Sequence, residues 1–272
     1  MAGNELKGSG PNGDSPHFQM DLLDPQRGGE NGDSPLENGD IPRVRISARA
    51  RRLSLRVYPD ARVEVVVPPR VLPRDVEFFV ATHREWIETK RAQALRNRPA
   101  PQLFPPASIE LRASGESFRL QMAGGSGRLR MAESGGEGGS VLRISGAESS
   151  RKLRQSLRQW LMSAARLRLE PRVAAVAAAM GVPYARVSIR RQRSRWGSCS
   201  ARGTISLNCC LLFQRPEVVD YLLVHELTHV KHMNHSARFW QAVERHCADW
   251  RELDRELVQG WRHVPRWVFS EE

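Results

Sequence analysis

The sequence predicts an α+β protein, because short β-branched runs fill its first half and long stretches of helical apolar spacing fill its second. A third observation adds a chemical site to that second half. The pattern H-E-x-x-H lies inside one of the helical stretches, at His225, Glu226 and His229. Three segments follow: a tail over 1–42, a β-rich region with one helix over 43–146, and a helical domain carrying the H-E-x-x-H pattern over 147–272.

Residues 1–42 are rich in Gly, Asn, Asp and Pro and repeat NGDSP at 12–16 and 31–35, so a disordered acidic tail is expected. From Pro42 the character changes. Val44–Ile46, Leu53–Val57 and Val63–Val67 read as a small antiparallel sheet, broken by an arginine cluster and by Pro59-Asp60. Pro73 and Asp75 open a helical stretch whose stripe would be Phe78, Phe79, Trp86 and Ile87. After a proline-rich break, strand-like runs appear at 108–112, 117–122, 128–131 and 140–144, with Gly-rich turns at 124–127 and 135–139.

From Glu148 to Met180 the spacing is helical, with Leu153, Leu157, Trp160, Leu161, Ala164 and Leu167 or Arg168 on one side. Pro171 should interrupt or kink this helix and Gly181 should end it. Val187–Arg190 and Thr204–Asn208 look like strands flanking a loop, Arg191–Arg202. Pro216 starts the helix with the H-E-x-x-H pattern. Ser236 is placed to cap the next helix, whose buried stripe would be Phe239, Trp240, Val243 and Cys247.

Composition bounds the function. The chain of 272 residues is 40% hydrophobic and 26% charged, as expected of a globular protein with a real core. No stretch approaches the roughly 18–20 apolar residues of a membrane span. The start, MAGNELKGSG, lacks the basic and apolar regions of a signal peptide, so a cytoplasmic protein with reduced cysteines (Cys199, Cys209, Cys210, Cys247) is expected. The net charge is +12, although residues 1–42 set Lys7 and Arg27 against eight acids. The rest is thus strongly basic and would attract nucleic acid, phosphate or acidic substrates. Yet only Lys7, Lys90, Lys152 and Lys231 are lysines, and the arginine excess reads equally as compositional bias. No recognisable nucleic-acid motif accompanies it, so nucleic acid ranks behind a polypeptide as the expected partner.

Residues four apart on a helix share one face, so His225 and His229 can converge on one metal ion. Glu226, one step round, can reach a water at that metal and act as general base. Zinc is the expected ion, since imidazole suits it and catalytic sites keep three protein ligands and one open position. Three residues compete to be the third ligand. His235 follows Met233-Asn234, where Asn can break the helix and let the chain fold back. His232 lies one turn along the same face, and three ligands on one straight helix cannot surround an ion tetrahedrally. Glu244 is the nearest carboxylate on the next helix. His235 is favoured, then Glu244.

Here the sequence resembles a known family. RWGSCS at 195–200, the strand Ile205–Asn208 and DYLLVHELTHVKHMNHSARFW at 220–240 are similar to the YgjP-like metallopeptidases, relatives of the SprT and WLM zinc proteases. The likeness spans about 43–262 and is most specific from Arg195 to Trp240. It implies a zincin-like fold, His225, His229 and His235 as zinc ligands, and Glu226 as catalytic base.

Arg190, Arg191, Arg193 and Arg195 with Trp196 form a basic loop expected to reach the site. Arg195 and Trp196 would bind substrate there, or else Trp196 plugs the core and the arginines form a solvated turn. Asn208 and Tyr221 are further candidates to line the cleft, and Cys199 is expected to pack rather than react. The reading is a zinc metallopeptidase. Its rivals are a phosphoanhydride hydrolase using the arginines of 190–195, and a non-catalytic zinc-stabilised module that holds nucleic acid. If the strand Thr204–Asn208 is an edge, it could pair with an extended peptide substrate.

Overall fold

The computed structural model describes residues 42–123, 130–135, 140–146 and 149–270, all within the second of the chain's two units, Leu36–Glu272. The expected tail, apart from Pro42, lies outside them, as do the Gly-rich turn at 124–127 and most of the turn at 135–139. The described residues form three small sheets and six α-helices, the α+β class that the sequence indicates.

The first sheet holds β1 (Arg43–Ile46), β2 (Ser54–Val57) and β3 (Val63–Val67) in the order β1-β3-β2. Strands β2 and β3 pair antiparallel as expected, but β1 pairs with β3 in parallel, so the sheet is mixed. The cause is the connection 47–53. It carries the chain past one strand position, and β3 then closes back between its two predecessors.

Two helices replace the single expected one: α1 (Pro73–Thr82) and α2 (Arg84–Arg96). Side chains break the run. Thr82 Oγ1 donates to the Phe78 carbonyl and His83 Nδ1 lies 2.8 Å from the Phe79 carbonyl, so both cap the preceding turn. The expected stripe fails with it, since Ile87 is buried while Phe78 is 75% exposed and Trp86 42%.

The second sheet runs β4 (Ser108–Leu111), β5 (Glu116–Ala123), β7 (Ser140–Ser145), β6 (Arg130–Ser134), with β5 and β7 parallel. Ile109, Leu111, Phe118, Leu142 and Ile144 alternate inward from it. They share one core with α3 (Ser150–Met180) and everything after it, so the core crosses the division at 146–147 suggested by the sequence.

Helix α3 begins at Ser149, whose hydroxyl accepts the Lys152 N–H, and ends at Gly181 in the left-handed region, φ 59°. Its stripe is Leu153, Leu157, Leu161, Ala164, Ala165, Leu169, Val173 and Ala177. Leu167 points outward at 69% exposure, while Arg168 is largely covered and forks onto Glu116. Pro171 does not interrupt the helix. It sits on the exposed face, where water can satisfy the carbonyl that loses its partner.

The third sheet is β8 (Arg186–Arg190), β10 (Thr204–Asn208) and β9 (Gly197–Cys199), with β10 central. Both edges of β10 are therefore used, and β9, in a stretch that reads as loop, is an outer strand. Then come a 3₁₀ turn at Cys209–Phe213 and α4 (Pro216–Thr228), followed by α5 (Ala237–His246) and α6 (Trp250–Gln259). No helix among the described residues is long and apolar enough to cross a membrane.

Candidate metal centre

Helix α4 starts with Pro216 at its first position and buries nearly every residue between Val218 and Thr228. His225 lies in its last turn and His229 at its C-cap. The chain turns there, sooner than the Asn234 break that the sequence suggests. Thr228 ends the helix by giving its hydroxyl hydrogen to the Val224 carbonyl, while its own carbonyl accepts from both Lys231 and His232. The turn brings His235 back. His225, His229 and His235 each present a ring nitrogen, all within 4.8 Å of one another.

The other two candidates stand apart. His232 contributes a backbone carbonyl, 3.0 Å from His229 Nδ1, which leaves His229 Nε2 as the lone-pair atom facing its partners. Glu244 is exposed and pairs with Arg251 at 3.0 Å. Ser236 occupies the N-cap of α5 but makes no capping bond. Helix α5 supplies the walls instead. Phe239, fully buried, lies 5.0, 4.6 and 4.7 Å from the rings of His225, His229 and His235. Trp240 stacks between His235 and Trp250.

The residues fit a metal ion. His225 Nε2 and His235 Nε2 lie 3.1 Å apart, where two lone pairs would repel without a shared cation or proton. Glu226 Oε2 is buried with no hydrogen-bond partner. Three imidazoles with an orphaned carboxylate beside them match the donor set of an open zinc site. Burial, with His229 and His235 beside it, holds His225 well below the usual histidine range. Burial takes His229 down to about 4, against the His232 carbonyl, which raises it. Both are thus neutral at pH 7, the form that binds metal. Burial pushes Glu226 up to about 8, with Arg195 opposing the rise.

Tyr221 stands one turn before His225. Its hydroxyl donates to Asp254 Oδ1 at 2.7 Å and lies 3.5 Å from His225 Nδ1. Burial and Asp254 raise the phenol, which keeps its proton and remains a donor. Tyr221 is therefore behind the ligand rather than in a cleft, a role the i, i−4 spacing to His225 could have revealed.

The basic loop divides by residue. Arg191 donates to the Val268 carbonyl at 2.9 Å and Arg193 to that of Phe269 at 3.0 Å, both beside the Phe269 ring. They clamp the C-terminal segment. Arg195 alone is felt at Glu226. Trp196 is buried and stacks on Trp261 at 4.2 Å, as the core-plug alternative has it. Asn208 lies deeper still. It is fully buried, its amide gives one hydrogen bond each to the carbonyls of Gln192 and Arg195, and its Oδ1 accepts from Cys210 N–H. It shapes the loop from beneath. Burial and the Glu226 charge push Cys199 up to about 11, so this thiol packs as expected.

One contact escapes sequence reading. Gly197 of β9 lies against Glu226, where an added Cβ would fall 2.6 Å from Glu226 Oε1 and 2.9 Å from Cδ. Only glycine lets the strand pass so close to Glu226 as it stands.

A family model described as the YgjP-like metallopeptidase domain matches residues 51–259. The metallopeptidase zymogen abylysin of Pyrococcus abyssi is 27% identical over 32% of this chain and 88% of its own, with a TM-score of 0.29. The zymogen jannalysin of Methanocaldococcus jannaschii is 20% identical over 32% of this chain and 90% of its own, also at 0.29. None of the curated proteins matches. With the family model covering most of the chain and a histidine triad in place to hold a metal, the chain belongs to the YgjP-like metallopeptidase family.

Proposed function

We propose that the protein is a zinc-dependent peptidase of zincin type, with His225, His229 and His235 as ligands and Glu226 as general base. The observation that carries this reading is the meeting of the three ring nitrogens within 4.8 Å beside a buried, unpartnered Glu226 Oε2. A zinc ion held there supplies a nucleophile near neutral pH and an electrophile for the scissile carbonyl. The remaining work falls to the chain. Glu226 Oε2 takes the proton of the attacking water and passes it to the leaving amine. Burial raises Glu226 in the empty site, and a bound cation would draw it back toward the carboxylate that a general base needs. Arg195 offers positive charge toward the developing oxyanion. Strand β9, unlike the central β10, is an outer strand along which an extended polypeptide can pair, and it passes Glu226 at Gly197.

The rival phosphoanhydride reading loses support at the arginines that motivated it. Arg191 and Arg193 are engaged by the carbonyls of 268 and 269. A purely structural zinc site has no use for a buried carboxylate without a partner, which weighs against the non-catalytic module. The test compares zinc-loaded protein on unstructured polypeptides and on nucleoside triphosphates. Peptide products that fall by roughly 10²–10⁴-fold in Glu226→Gln, with zinc retained, are expected. Glu226-dependent phosphate release without peptide products would overturn the reading.

A further inference from the structure

Away from the histidines, a cavity of about 800 Å³ opens at the start of α3. Arg151, Arg154, Arg158 and Arg191 line it with Gln155 and Gln159, and no acidic residue is among the described lining. Like charges gathered in one hollow repel, so an arrangement of this kind needs a reason. Two of the four have one. Arg158 donates to the carbonyls of Trp267 and Ser270, and Arg191 to that of Val268, which fixes one wall of the cavity.

The other two answer to no such structural need. Arg154 holds its guanidinium carbon 4.2 Å from the centre of the Phe104 ring, and its Nε–H is buried with no hydrogen-bond partner. A contact of that kind holds the cation without using its N–H donors. Arg151 is exposed in the first turn of the same helix. That turn contains no acid, and basic residues there face the positive end of a dipole that runs the full 31 residues of α3. Cations at the wrong end of a helix and four guanidiniums around one hollow are both relieved by one thing, an anion.

We propose that this cavity binds phosphate oxyanions, presented by a nucleic-acid strand or by a small phosphate compound. Arginine forks match phosphate oxygens in pairs, and helix N-terminal amides favour the same charge. The volume exceeds what one carboxylate fills, and several guanidiniums call for a multiply charged ligand. The site is separate from the peptidase centre and stands whether or not that reading holds.

The experiment titrates the full chain into fluorescein-labelled oligothymidylate at several salt concentrations, with inorganic pyrophosphate and polyglutamate as competitors. Zinc content and thermal stability are recorded for every variant. Arg151→Ala with Arg154→Ala is expected to weaken binding about tenfold or more, and to lower the log–log salt slope by about 1.4, since each phosphate contact on a single strand contributes about 0.7. Arg154→Lys should recover part of the loss. Arg151→Ala alone, at an exposed position, keeps the test intact if the Arg154 change disturbs Phe104. Competition by pyrophosphate would identify free phosphate as a sufficient source, and arginine-dependent binding that it cannot displace would identify the nucleic-acid backbone. Binding unchanged by these substitutions, or polyglutamate competing as well as pyrophosphate, would overturn the proposal.

Discussion

Replacing His235 with Ala should strip the metal, whereas His232→Ala should keep about one ion per chain, because the ring of His232 lies outside the triad. Elemental analysis of both variants decides it, and the reverse pattern would remove His235 from the ligand set. A second expectation concerns the metal-free protein. Glu226 rises from 4.5 to about 8 on burial, so its contribution to stability is complete below pH 4.5 and is lost as pH climbs through 8. His225 and His229 shift the other way from 6.5. Their contributions are present above that pH and fade as it falls, for His229 toward about 4. Only the Glu226 slope remains above 6.5. Chelator-treated protein should therefore lose melting temperature between pH 6.5 and 8, and Glu226→Gln should flatten that loss. At this scale the sequence was most informative where spacing carries meaning. His225 and His229 share a helix face by arithmetic, and Tyr221 stands on that face too. Asp254 could not be read, since nothing local links positions 221 and 254. For Trp196 and Asn208 the alternatives stayed open, because residue type does not say which way a side chain faces.

Gly197→Ala makes the corresponding test for an element. The new methyl would meet the Glu226 carboxylate, so the base or the strand must move. Peptidase activity is expected to fall by about tenfold or more while zinc stays bound, since a misplaced base costs rate without touching the ligands. Unchanged activity would mean that β9 gives way freely. That strand was illegible because Gly-Ser-Cys has little β propensity and owes its conformation to pairing with β10. Helix α3, by contrast, was readable across most of its length, with Ser149 and Gly181 at its ends. Pro171 misled because its cost depends on whether water reaches the freed carbonyl. The stripe expected through Phe78 and Trp86 assumed one straight helix, and the break at His83 removes that premise.

For the whole molecule, the α+β class and a functional second half followed from periodicity and one motif. Strand order did not, since parallel pairs such as β1–β3 and β5–β7 depend on where long connections return. Nor did the single core that joins the second sheet to the helices. The contact from Asp254 through Tyr221 to His225 has a mechanical meaning at this scale. It makes α6 an outrigger of the candidate metal centre, tied to it by a phenol as well as by the stack of Trp250 on Trp240. Zinc loading should slow amide exchange in α6, and Tyr221→Phe should blunt that protection while weakening zinc binding about 10–100-fold. Equal protection in both proteins would show the tie to be slack. Linkage runs both ways, so anything that grips α6 from outside would also retune how tightly the histidines could hold an ion.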